Sequence, residues 1–136
     1  MKFHSINISN SAKKRIKETL DSTYVSAGKL AVKFENELTQ MLGLVNPVSV
    51  NSGTSALHLG LEMAGIGSGD EVILPAQTFV ASGLAIIMTG AKPVFADIEE
   101  STFGLDPSDI VKRITPNTKA ILPMDYAGQS CKIEEI

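Results

Sequence analysis

From Pro47 onward the chain alternates short apolar runs with segments of helical period, and this alternation constrains its fold more than any other feature. Val48 and Val50 sit in a strand-like run that ends at Asn51-Ser52-Gly53. Thr54 to Ala64 reads as a helix apolar on most sides (Ala56, Leu57, Leu59, Leu61, Met63), the mark of a buried helix. Gly65 to Asp70 is a turn cluster, Glu71 to Leu74 a strand closed by Pro75, and Phe79 to Met88 a second apolar helix stopped at Gly90. Lys92 to Asp97 holds a third strand. Asp106-Pro107-Ser108-Asp109 is a helix start, with Asp106 as cap, Pro107 at the first helical position and Asp109 favoured by the dipole. That helix is expected to run to about Ile114, Lys119 to Met124 to form a fourth strand, and Cys131 to Ile136 to begin another helix. The order β-α-β-α-β-α-β predicts the α/β class: a parallel sheet, helices on both faces and right-handed crossovers.

Two helices precede this pattern. Residues 9–21 form the first, with Ser9 or Ser11 as cap and Ile16 and Leu20 on one face. In the second, Leu30, Phe34, Leu38 and Leu42 recur every four residues, and Gly43 stands where a C-terminal cap needs positive φ. A length of 136 residues allows one domain, and no repeat or linker interrupts it. The chain ends at Glu134-Glu135-Ile136 without a stop signal, and a six-residue uncapped helix is marginal, so a longer parent chain is expected.

Composition removes several function classes. Hydrophobic residues at 43% and charged residues at 20% exclude a disordered tail or a fibre. Apolar runs fall far short of the roughly 18 residues of a membrane span. The start, Met1-Lys2-Phe3-His4-Ser5, lacks the apolar region of a secretory signal. A net charge of −3 disfavours nucleic acid, and the one basic cluster, Lys13-Lys14-Arg15-Lys17, reads first as a solvated helix face. A single cysteine, Cys131, excludes an internal disulfide and fits a reducing cytoplasm.

In open α/β sheets ligands bind beyond the carboxyl ends of the strands. Four segments are placed there: Asn51–Ser55, Pro75–Phe79, Asp97–Ser101 and Asp125–Gln129. In the first, Gly53 allows close backbone approach, and the amides and hydroxyls of Thr54 and Ser55 open a helix whose dipole favours an anion. Simple N-capping by Ser52 or Thr54 is the stronger reading of the same residues taken alone. The segment is neither a Walker A loop nor a dinucleotide fingerprint. Phe79 stands either as a stacking ring for a flat ligand or as a core aromatic. Asp125 and Tyr126 contact a ligand or serve as turn residues. His4 and His58 show no metal-ligand spacing, His58 reads as a packing residue of an apolar helix, and Glu99-Glu100 reads first as a solvated loop and only second as an acid–base pair.

Six stretches together resemble one family. They are Gly28 to Glu35, Asn51 to Leu57, Gly67 to Ile73, Gln77 to Ala81, Gly90 to Phe95 and Asp125 to Gln129. In this order and spacing they are similar to the DegT/DnrJ/EryC1/StrS sugar aminotransferases, which use pyridoxal 5'-phosphate (PLP). The resemblance implies an α/β fold of the PLP-dependent transferase fold type I, aspartate aminotransferase-like. Residues 1–136 would be the N-terminal part of its large domain, with a mostly parallel sheet and two N-terminal helices. It implies a cytoplasmic homodimer that moves an amino group, typically from glutamate, to a keto group of a nucleotide-linked deoxysugar, a step of polysaccharide biosynthesis. Neither nucleic acid nor membrane is expected as a partner.

Residue by residue, Gly53, Thr54 and Ser55 match the family's phosphate-binding turn, which favours phosphate over simple capping. Phe79 matches the position whose ring stacks on the pyridine. Asp125 falls where many members carry His, and its role stays open. The Tyr24–Gly28 loop matches a region near the sugar. The family's Schiff-base lysine and the aspartate that pairs with the pyridine nitrogen lie beyond residue 136. No catalytic residue is therefore assigned here, and the piece alone is expected to be inactive. Two alternatives stand beside the aminotransferase: a sugar dehydratase of the same fold, with histidine in place of the lysine, and a non-catalytic ligand-binding or regulatory fragment.

Overall fold

The computed structural model describes residues 5–136 in two compact units, residues up to Ser49 and residues 50–136. His4 lies outside the described residues.

The first unit holds two helices. α1 (Asn10–Asp21) is capped by Ser9, whose Oγ accepts from the Ala12 amide at 3.1 Å. α2 (Lys29–Leu42) ends at Gly43, whose φ of 68° gives the left-handed C-terminal turn the sequence calls for. Glu35 then ties down the following segment, accepting from both the amide and the hydroxyl of Ser49 at 2.8 Å. Neither helix buries a residue. Ile16, Leu20, Leu30 and Phe34 are all more than half exposed.

Here the structure corrects an expectation. Val48–Val50 is not a strand. A strand exists only through a partner's ladder. The amide and hydroxyl of Ser49 donate instead to the Glu35 carboxylate, and Asn46 at φ 48° turns the chain just before.

The second unit is α/β. Its elements are α3 (Gly53–Met63), β1 (Glu71–Pro75), α4 (Val80–Met88), β2 (Lys92–Ala96), α5 (Pro107–Arg113) and β3 (Thr118–Ile121). All pairings are parallel and the strand order is β2-β1-β3. β1 is buried along its whole length, as a central strand covered on both faces must be. Its side chains alternate. Val72 and Leu74 pack with Leu61, Ile66, Ala85, Ile86 and Ala91, the layer of α3 and α4. Ile73 faces the other way, onto Ala96, Leu105 and Ile110, the layer of α5. The predicted two-sided parallel sheet is thus present, with three strands rather than four. β3 stops earlier than expected. The Leu122 amide still donates to the Ile73 carbonyl at 2.7 Å, but Pro123 has no amide to extend the ladder. Cys131–Ile136 forms a hydrogen-bonded turn, with the Ile136 amide on the Lys132 carbonyl, rather than the expected helix start.

Two buried carboxylates secure the strand ends. Glu71, 8% exposed, accepts from Lys92 Nζ at 2.8 Å and Thr115 Oγ1 at 2.6 Å, joining β1 to β2 and to the approach to β3. Those two bonds, Lys92 first, hold its pKa below the usual value. Asp109 on α5 accepts from the Asp97 amide at 2.9 Å and from Arg113 Nε at 3.2 Å, fixing the carboxyl end of β2. The Asp97 amide is the main cause of its lowered pKa.

Candidate functional site

The topology of the second unit selects one edge. β1 connects to β2 through α4 on one face, and β2 connects back past β1 to β3 through α5 on the other. The chain leaves the neighbouring strands β1 and β3 into loops at the carboxyl edge of the sheet, the edge at which open α/β sheets bind ligands. Phe79 follows β1, and Asp125 and Tyr126 follow β3. α3 reaches the same edge from the opposite direction. It ends in the tight turn of Gly65–Asp70 that feeds the amino end of β1, and Leu57 and Leu61 lie on the sheet, so its first turn points to the carboxyl edge.

That first turn has the donors of an anion site. Ser52 caps α3, its Oγ accepting from the Ser55 amide at 3.1 Å, and the Ala56 amide closes onto the Ser52 carbonyl. The amides of Gly53 and Thr54 and the Thr54 hydroxyl have no protein partner among the described residues. The Ser55 hydroxyl is committed, donating to Asn51 Oδ1 at 2.8 Å and lying 2.9 Å from Ser52 Oγ. A Cβ placed on Gly53 would meet nothing within 4 Å, so the space before the turn is open. Capping and anion binding are thus not rivals here. Ser52 performs the first and leaves two amides and one hydroxyl for the second.

Phe79 is not a core residue. It is the N-cap of α4, in extended conformation, and 75% exposed. A ring displayed at the ligand edge rather than buried fits stacking on a flat ring system.

The remaining polar candidates resolve into structural work. Glu99 accepts from the amides and hydroxyls of Ser101 and Thr102 and pairs with Lys132 at 3.3 Å. The Ser101 and Thr102 hydroxyls hold its pKa far below the usual range, so it stays ionised and is unsuited to proton transfer. Glu100 is exposed. His58 is on α3 with Nε2 enclosed and 3.4 Å from Glu62 Oε1, without a well-formed hydrogen bond. The described residues hold no group of three metal-ligating side chains. Cys131 is buried, and burial followed by the neighbouring Asp125 pushes its thiol pKa up. The Lys13–Lys17 cluster lies on the exposed surface of α1, with Lys14 near Glu18 at 3.9 Å. No described helix is long and apolar enough to cross a membrane. In the first unit Tyr24 lies over Gly28, its hydroxyl on the Ala27 carbonyl at 3.3 Å, beside a groove of about 980 Å³ walled by Ile16, Leu20, Val25 and Leu30. Asp125 also accepts from the Cys131 amide at 2.9 Å, a contact with no sequence signal, because the two residues are six apart and share no motif.

Comparison with known proteins identifies the family and the fold. The family model described as the DegT/DnrJ/EryC1/StrS aminotransferase family matches residues 7–136. The spore coat polysaccharide biosynthesis protein SpsC of Bacillus subtilis is 46% identical over 121 residues, covering 89% of this chain and 31% of that protein. A GDP-perosamine synthase of Caulobacter vibrioides is 42% identical over 120 residues, 88% of this chain and 32% of its own length. The crystal structure of NtdA from Bacillus subtilis, with bound cofactor PMP, superposes with a TM-score of 0.86 at 32% identity, over 100% of this chain and 34% of that one. The chain thus spans about a third of the length of these relatives, and its sheet is part of a fold type I, aspartate aminotransferase-like domain. By its family match over residues 7–136, the chain belongs to the DegT/DnrJ/EryC1/StrS aminotransferase family.

Proposed function

We propose that this chain is the N-terminal, phosphate-holding part of the large domain of a PLP-dependent sugar-nucleotide aminotransferase. In this reading the whole protein works as a cytoplasmic homodimer. It transfers an amino group from an amino acid, typically glutamate, to a keto group of a nucleotide-linked deoxysugar for polysaccharide synthesis. The names of the relatives support the substrate class: a GDP-perosamine synthase and a spore coat polysaccharide protein. The cofactor-bound form of NtdA supports the cofactor.

The observation that carries the proposal is the turn at the start of α3. The Gly53 and Thr54 amides and the Thr54 hydroxyl would receive the phosphate of PLP, with the helix dipole behind them. Ser55, through Asn51, holds the turn in shape, and its oxygen remains close enough to join the donors after a hydroxyl rotation. The exposed Phe79 ring would lie against one face of the pyridine and exclude water from it. When bound, PLP supplies the carbonyl that takes up the donor's amino group and the ring that absorbs the resulting charge. The residues of this chain bind and orient the group. The proton-transferring lysine expected for the family is assigned to no position among these 136 residues.

Pyridoxamine phosphate tests this directly, because it needs no covalent anchor. Titration of the chain, read by absorbance or calorimetry, is expected to give saturable binding that inorganic phosphate competes away. The double variant T54A/S55A is expected to bind at least tenfold more weakly, since charged hydrogen bonds contribute about 1–3 kcal/mol each and 1.4 kcal/mol is tenfold. Unchanged affinity in a variant with an unchanged melting curve would overturn the assignment.

A further inference from the structure

The loop after β3 is held in an unusual backbone shape. Ala127 has φ 51° and ψ 24°, and Gly128 follows at φ 84°, two left-handed residues in succession within the short 3-10 turn Tyr126–Gly128. A non-glycine residue in that region persists only where its surroundings hold it. The far end of the loop is anchored. Cys131 is buried against Gly104, where an added Cβ would stand 2.7 Å from Cys131 Cβ, and Lys132 pairs with Glu99 at 3.3 Å. The Tyr126 ring also leans on Phe103, centroids 5.9 Å apart and planes tilted by 50°. What joins the near end of the loop to this anchored end is Asp125. Its Oδ1 accepts from the Cys131 amide at 2.9 Å, a side-chain bond that closes the loop across six residues.

We infer that Asp125 is a positioning residue. Through Oδ1 its carboxylate fastens the Tyr126–Gln129 turn that follows the carboxyl end of β3, and its part in binding is to hold that turn rather than to supply a charge to the ligand. The location of the ligand rests on the aminotransferase reading; the fastening rests on the geometry alone. The bond needs an acceptor oxygen, not a negative charge. An amide oxygen at the same place keeps it, and a methyl does not. The thiol of Cys131 lies beside the same carboxylate, its pKa raised by burial and then by Asp125, which marks the contact from the other side.

The test compares Asp125→Asn with Asp125→Ala in the whole chain, by amide hydrogen exchange and by pyridoxamine phosphate affinity. Asn is expected to keep Cys131 exchange within threefold and affinity within twofold. Ala is expected to speed exchange at Gly128, Gln129 and Cys131 at least tenfold and to weaken affinity at least threefold. Loss of affinity in the Asn variant with Cys131 protection intact would mean the charge meets the ligand, and would overturn the inference. So would faster exchange in the Ala variant with affinity unchanged, which would leave the bond without a positioning role. If the unaltered chain binds no pyridoxamine phosphate, the proposed function falls, while the exchange comparison still decides whether Asp125 fastens the turn. Should the Ala variant fail to fold, the unaltered chain reads the same bond. Its Cys131 amide must exchange more slowly than that of Ser130, which has no partner among the described residues, and equal rates would overturn the inference.

Discussion

The two units of this chain use the same apolar residues to different ends. In residues 50–136, Ile73, Leu74 and Ile86 are fully enclosed between sheet and helices. In residues up to Ser49, Leu30, Phe34 and Leu42 repeat along one face of α2 with equal regularity, and each is more than half exposed. Periodicity therefore specifies a helix and names its sticky face in both units. Only the sheet, which offers an apolar surface on each side, converts that face into a core.

The largest expected effect lies at the centre of the sheet. Leu74→Ala should cost about 2–5 kcal/mol, enough to unfold the second unit at moderate denaturant. Phe34→Ala, the matching change in the first unit, should leave the midpoint of that transition within error. Equal losses in urea unfolding would break the comparison by showing that Phe34 is buried in solution.

A smaller loss is expected where backbone and side chain touch. Gly104→Ala would place a methyl 2.7 Å from Cys131 Cβ and should cost about 1–3 kcal/mol through overpacking. A neutral result would mean that the seam between residues 99–104 and 125–132 is loose. Helix caps sharpen the contrast further. Asp106→Ala removes the acceptor of the Ser108 amide at 2.9 Å and should cost about 1 kcal/mol. Ser9→Ala removes an equivalent bond on α1 but should change only local amide exchange there, without moving the main transition.

The mildest probe deletes nothing. The folded pKa of Glu71 is lowered from its ordinary value of 4.5, so its bonds to Lys92 and Thr115 stabilise the sheet fully above that value. The contribution is lost as pH falls through the folded pKa. Urea midpoints should decline below about pH 4.5. Glu71→Gln should lower the midpoint at neutral pH and flatten that decline. An equally steep decline in the variant would assign the acid sensitivity to Glu99 and Asp109 instead.

Much of the fold was legible because its signals are local. The Asp106-Pro107 start of α5, the Gly43 stop of α2 and the apolar lengths of α3, β1 and α4 are each fixed within a few residues. The turn proposed to hold phosphate was legible for the same reason, since Gly53, Thr54 and Ser55 make a helix start whatever lies elsewhere. Val48–Val50 failed because two valines are only half of a strand, and the other half is a partner that sequence proximity does not supply. Phe79 was ambiguous until its exposure was seen, because the same ring serves a core or a ligand. The fastening by Asp125 and the clasp of Glu99 on Lys132 were invisible, since each depends on a turn bringing together residues that share no motif.

The strand order carries a consequence for how the molecule is made. β1 is synthesised first of the three, yet it is the middle strand, and its second neighbour arrives last: Ile73 pairs with Ile121. Until the ribosome has released that distant segment, one flank of the most apolar strand stands open. The α4 crossover can dock β2 early, giving a two-stranded intermediate whose free edge invites any passing strand. Such long-range closure slows folding, so the nascent chain's hazard is greatest during the interval between β2 and β3, when a holding chaperone has most to protect.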